Sequence, residues 1–177
     1  MRKFGVFAAT VFIAIILGGF YGIIHDQITY SISPEYFTKY KYRQFGFEPY
    51  WFGGHRQTVA IIGFLATWWM GLIIGLVIGL LGLIFKDHIA MRKAVLKAIV
   101  IVFVTAVVFA GIGFLWGKYH LLKTGVSWWL PDDLVDKNSF IVVGSIHNFS
   151  YMGGIAGLLI GVIYMIIRKL RVASADN

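Results

Sequence analysis

Apolar residues fill four stretches of the chain almost without a break, and the polar positions gather between them. Phe4 to Ile24 carries no charged residue, and neither does Thr58 to Phe85, a run of 28 residues. Ala98 to Gly117 is a third run. Phe140 to Ile167 is a fourth, and its strongly polar residues are His147 and Asn148. A helix needs about 20 mainly apolar residues to cross the hydrocarbon core of a bilayer, so each run predicts one membrane-spanning helix. The expected fold is an all-α integral membrane protein with four transmembrane helices in two hairpins. It forms one domain over residues 1–177, with spans at about 4–24, 58–85, 98–117 and 140–167 and outer loops at 25–57 and 118–139. Arg2 and Lys3 ahead of the first run match the start of a signal peptide. A secretory apolar region, however, covers only about 7–15 residues and ends in small residues. This run is longer and ends in Tyr21-Gly22-Ile23-Ile24-His25-Asp26, which predicts a retained helix.

Composition agrees with burial in lipid. The chain is 59% hydrophobic and only 14% charged, against about half and a quarter in soluble domains. It has no cysteine, which excludes a disulfide scaffold, thiolate metal sites and a cysteine nucleophile. The net charge of +8 gains its meaning from placement. The N-terminus, the segment between the second and third spans and the C-terminal tail hold nine Lys and Arg, against two acids. The two other loops hold seven, against six acids, over far more residues. By the positive-inside rule both termini are cytoplasmic and the two long loops face outward. Basic residues at helix ends set topology and attract anionic headgroups. They form no concentrated basic surface of the kind nucleic acid requires, so the expected partner is the bilayer and not nucleic acid.

Small residues recur at a spacing of four, at Gly71, Gly75 and Gly79 in the second span and at Gly153, Gly157 and Gly161 in the fourth. The first span offers Ala14, Gly18 and Gly22, and the third Ala106 and Ala110. Helices in lipid gain little from apolar burial and pack through close backbone contact. These seams therefore predict closure of the bundle, with a homo-oligomer or membrane-partner contact as their other use. In the first outer loop, Ser33-Pro34-Glu35 predicts the N-cap, N1 and N2 of a short helix. The aromatic and cationic residues that follow suit the headgroup level. The tract 46–54 is expected to be irregular.

Depth can be counted from the cytoplasmic anchors at about 1.5 Å per residue, with about 20 residues crossing the core. From Lys3 the count reaches Ile23, beside His25 and Asp26. From Lys86 it reaches Ala66, beside Trp68 and Trp69. From Lys97 it reaches Gly117, below His120, and from Arg168 it reaches Asn148, beside His147. Tyr151 lies one helical turn from His147 on the same face. The count predicts one polar layer at the outer membrane face. Histidine with carboxylate is a ligand set for zinc and other divalent metals and also a general acid–base set. The candidate ligands are His25, Asp26, Glu35 and His147, with Trp68, Trp69, His120, Asn148 and Tyr151 around them. The structural alternatives are a polar pair at a helix end for His25 and Asp26, hydrogen bonding between helices for His147 and Asn148, and an aromatic belt for the tryptophans. Side chains of His25 and His147 more than about 12 Å apart could not share one ion.

The stretches His25-Asp26-Gln27-Ile28-Thr29, Glu35-Tyr36-Phe37, Ala66-Thr67-Trp68-Trp69-Met70-Gly71-Leu72 and His147-Asn148-Phe149-Ser150-Tyr151 resemble a group of uncharacterised bacterial membrane proteins. Their shared pattern is histidine-aspartate, glutamate-tyrosine-phenylalanine, a tryptophan pair before glycine, and histidine-asparagine-x-serine-tyrosine. The resemblance covers all but the third span and the second outer loop, and His120 lies outside it. It implies a four-span protein of the bacterial inner membrane and brings no activity. Three functions fit the residues: a polar, metal-binding pocket at the outer face; a metal-assisted hydrolase acting on lipid or envelope substrates, with Glu35 or Asp26 as base; and an accessory subunit that docks a partner through its outer loops.

Overall fold

A computed structural model describes residues 2–175. Its helices run in the order α1 (Arg2–Ile32), α2 (Pro34–Tyr36), a π-helical turn (Phe37–Lys41), α3 (Tyr42–Phe45), a 3₁₀ turn (Pro49–Phe52), α4 (His55–Gly82) and α5 (His88–Trp116). A second π-helical turn (Gly117–Leu121), α6 (Leu122–Thr124) and α7 (Lys137–Ala175) follow. The four long helices are each long and apolar enough to cross a membrane. α1 packs along α4 and α5 along α7, as two hairpins that touch each other sparingly. Large apolar side chains such as Phe12, Ile24, Leu80, Val100 and Leu159 lie exposed around the outside. In water such a surface would be a liability, whereas around a membrane bundle it is the face that meets lipid.

The small-residue seams hold each hairpin together. A Cβ on Gly75 would lie 2.9 Å from the Val11 Cα, and one on Gly157 would lie 2.8 Å from the Val102 Cα. Gly22 and Gly63 oppose each other backbone to backbone, with Thr67 Oγ1 donating to the Gly18 and Gly63 carbonyls at 2.8 Å. Only glycine permits helix axes to approach so closely.

The start of α1, the last turns of α7 and the α4–α5 turn lie at one end of the bundle. There Lys3 Nζ donates to the Leu83 carbonyl at 2.9 Å and the Arg168 guanidinium stands over the Phe85 ring. Asp87 caps α5 by accepting from the amides of Ile89 and Ala90, which satisfies donors that the first turn leaves free. Those two bonds hold its carboxyl below the usual range. Around this end Ile78, Met91, Val95, Val102 and Met165 form one apolar core, and Phe37, Val59, Ile62, Phe140 and Val143 form another at the opposite end.

The opposite end departs from the expected loop boundaries. α1 does not stop at Ile24 but continues to Ile32, so His25 and Asp26 lie inside a helix. Its polar extension is held by Arg56 at the start of α4, which donates to the Gln27 carbonyl, to Gln27 Oε1 and to Ser31 Oγ. The Arg56 guanidinium also lies 4.7 Å from the Tyr30 ring centroid. The chain enters α4 through Gly53 and Gly54, at φ 88° and 132°, backbone angles that favour glycine. Proline does stand at the first position of α2, but Ser33 makes no capping bond and its buried hydroxyl has no partner among the described residues. From α2 to α3 the chain folds back over the bundle and buries Tyr36, Phe37 and Tyr42.

Candidate metal centre

Asp26 projects from α1 into the interior and is 2% exposed; His147 comes from α7 and is 4% exposed. The two hairpins thus meet through a carboxylate and an imidazole. Asp26 Oδ1 lies 3.1 Å from His147 Nε2 and 3.1 Å from His25 Nδ1. The imidazole rings of His25 and His147 stand perpendicular with centroids 4.6 Å apart, well inside the limit for sharing one ion. One ligand atom from each of His25, Asp26 and His147 falls within 4.8 Å of the others. Among the described residues, His25 Nε2 and Asp26 Oδ2 find no hydrogen-bond partner and are buried.

The other nitrogen of His147 fixes its chemistry. Nδ1 lies 3.0 Å from the Val143 carbonyl, one turn back on α7. A carbonyl can only accept, so Nδ1 carries the proton. In a neutral ring the Nε2 lone pair then faces the Asp26 carboxylate, which is also only an acceptor. Two lone pairs at this distance repel, so a positive charge belongs between them: either a second ring proton or a metal ion. An imidazole whose far N–H is held by a backbone carbonyl is the usual arrangement of a metal-ligating histidine.

Residues missed by the depth count complete the surroundings. The Tyr36 ring stacks on His147 with centroids 4.7 Å apart and closes the cluster from above. Burial pushes its phenol well above the usual range, so the hydroxyl keeps its proton. Tyr21, one turn before His25, shares a hydrogen bond with Ser150 from α7. Both carried a signal, Tyr21 by its i−4 spacing from His25 and Ser150 by its place between His147 and Tyr151. Lys41 is buried in the first π turn. Burial pushes its ammonium down, and the charge of Asp26 pulls the other way. Beneath the cluster an apolar cavity of about 100 Å³ extends between the hairpins, and Tyr151 lines it.

Glu35 is not brought to this cluster. Its carboxylate accepts from the amides of Val135 and Asp136 at 3.0 and 2.7 Å and pairs with Lys39 at 2.7 Å. It clasps the first outer segment to the one leading into α7, and both of its oxygens accept there. Trp68 and Trp69 also fall away. Both are exposed on α4, with the Trp69 indole donating to the Ala66 carbonyl, as expected of an aromatic belt. His120 is exposed within the second π turn and packs on Trp116 at 4.0 Å. Asn148 is exposed on α7, turned to the side that holds Tyr40 and Trp128.

The Glu35 clasp predicts an acid transition separate from the cluster. Lys39 first, then the two amides, hold the Glu35 carboxyl at about 2, down from 4.5. A depressed carboxyl stabilises the fold above its unfolded value and loses that contribution as pH falls through the folded one. The clasp should therefore hold fully above about pH 4.5 and release as pH falls toward about 2. Melting curves of wild type and Glu35→Gln across that window should converge at the acid end. A constant gap between them would contradict the clasp.

No protein-family model, no curated protein and no solved structure matches this chain. The reading of the centre rests on its geometry and chemistry.

Proposed function

We propose that this is a multi-pass protein of the bacterial inner membrane in which His25, Asp26 and His147 hold a divalent cation, zinc foremost, at the periplasmic face. The observation that carries the reading is the Nε2 lone pair of His147 aimed at an Asp26 oxygen while Nδ1 is committed to Val143. Two imidazoles and a carboxylate form a three-ligand set of the kind that leaves a fourth position open. Tetrahedral bonds of about 2 Å put ligand atoms roughly 3.3 Å apart, so the widest pair, now within 4.8 Å, closes by no more than about 1.5 Å. Glu35 stands outside the set.

Zinc titration of detergent-purified protein against a competing chelator tests the site. His147→Ala should weaken binding by more than about a hundredfold, the upper figure for losing merely an outer-shell partner. Glu35→Gln should bind as wild type does. Undiminished zinc affinity in His147→Ala would overturn the proposal in favour of a doubly protonated His147 that locks the two hairpins.

The orientation has its own test. The basic bias of one end supports cytoplasmic termini. A reporter active only in the periplasm should be silent when fused at Asn177 and active when inserted near Gly53. The reverse pattern would move the centre to the cytoplasmic side.

A further inference from the structure

The cavity below the centre has a polarity of its own. It runs from His25 and Asp26 down to Ala14, twelve residues of α1 or about 18 Å, and all four long helices line it. Its upper end holds the three cluster side chains together with Tyr21, Ser150 and Tyr151. Below them the walls are apolar or small except for Thr67, whose hydroxyl is committed to the Gly18 and Gly63 carbonyls. The volume of about 100 Å³ is several times the roughly 10–15 Å³ that one water requires, and among the described lining residues the lower part offers no uncommitted polar group to hold water. Leu17 and Phe103, on facing helices of different hairpins, line the cavity and are 42% and 46% exposed. The cavity therefore opens sideways between α1 and α5, toward the hydrocarbon.

A lipid of the leaflet has the same layout, with a polar head at the membrane surface and an apolar chain directed to the midplane. We propose that the centre takes a membrane amphiphile with an anionic, phosphate-bearing head. Its head oxygen completes the cation's coordination and one of its chains lies in the cavity, having entered between Leu17 and Phe103. The inference rests on the metal reading above. Two features select the ligand. The buried His25 Nε2, without a partner among the described residues, borders the head position and as an N–H can donate to a head oxygen. The charge there, a divalent cation against the single carboxylate of Asp26, is positive and favours an anion. A neutral headgroup would leave that excess unbalanced in a site shielded from water.

The test uses the full chain with zinc in phosphatidylcholine vesicles that contain phosphatidic acid carrying a photoactivatable group in one acyl chain. Mass spectrometry locates the crosslinks, and zinc content is measured on the same samples. Crosslinks at cavity residues such as Met70, Ile74 and Phe103 are expected. They should disappear on chelation of zinc and persist in the presence of inorganic phosphate. Two variants should abolish them while retaining zinc. Gly154→Phe fills the cavity at a place where a Cβ meets only the flexible Met70 Cε, at 3.4 Å. Leu17→Trp narrows the lateral opening from a lipid-facing position. Equal labelling by a phosphatidylcholine probe, labelling that survives chelation, or displacement by inorganic phosphate would each overturn the proposal with the metal reading intact. Cavity labelling of a protein that binds no zinc would refute the metal reading and, with it, the head position.

Discussion

Asp26→Asn should leave the purified protein without stoichiometric metal and destabilise it more than any other single polar substitution. The carboxylate sits buried where the two hairpins meet, and one of its oxygens serves both His25 and His147. An amide keeps the shape but removes the charge, so it neither ligates a divalent ion well nor balances an imidazolium. Breaking a buried pair by removing one partner costs about 3–5 kcal/mol, because the remaining group stays buried without compensation. The loss applies whether the positive charge beside Asp26 is a metal or a proton, so the melting temperature should fall in either case. Metal content separates the two. A variant that keeps full metal and wild-type melting would show that Asp26 neither ligates nor couples the hairpins.

Gly157→Leu should damage the fold far more than Leu158→Ala, although the two positions are adjacent. Gly157 faces α5, and any Cβ there would stand 2.8 Å from the Val102 Cα and 3.0 Å from the Val102 carbonyl oxygen. Backbone cannot rotate aside as a side chain can, so the helices must separate along the whole seam. A cost of about 3 kcal/mol or more is expected for such overpacking. Leu158 is only half-buried at the edge of the lower core, and its truncation should cost about 1 kcal/mol. Thermal denaturation of both variants in the same detergent decides the matter. Equal melting would place the glycine ridge against lipid instead of against α5.

The parts of this architecture legible in the sequence are those set by a one-dimensional rule. Uninterrupted apolar length marks a span whatever surrounds it, and the four runs became the four long helices. Spacings of four in Gly71-Gly75-Gly79 and Gly153-Gly157-Gly161 mark a ridge, and those ridges are the hairpin seams. Counting depth brought His25, Asp26 and His147 to one level, and they do meet. Depth says nothing about rotation around a helix, and that is where the same count failed. Ala66, Thr67, Met70 and Gly71 line the cavity from α4, while Trp68 and Trp69 lie about 100° and 200° around from Thr67 and face outward. Asn148 is one such step from His147. For His120 the π turn Gly117–Leu121 slows the rotation of the helix and leaves the ring outside.

Glu35 illustrates a different limit. Its place at the start of a short helix was visible, but its amide partners at Val135 and Asp136 lie a hundred residues away in the chain. No local pattern announces such a pairing. The extension of α1 to Ile32 was hidden for a similar reason, because it depends on Arg56 reaching back from α4. Tyr36, by contrast, was visible as one of the motif residues. Its stacking on His147 follows only once the chain after Ser33 turns back over the bundle.

The central claim is that His25, Asp26 and His147 bind one divalent ion together. X-ray absorption at the zinc edge of the zinc-loaded protein tests it most directly. The account predicts a shell of nitrogen and oxygen at about 2.0–2.2 Å, with the outer-shell scattering of two imidazole rings, reduced to one ring in His147→Ala. A zinc shell of oxygen alone, or an imidazole signal that His147→Ala leaves unchanged, would contradict it.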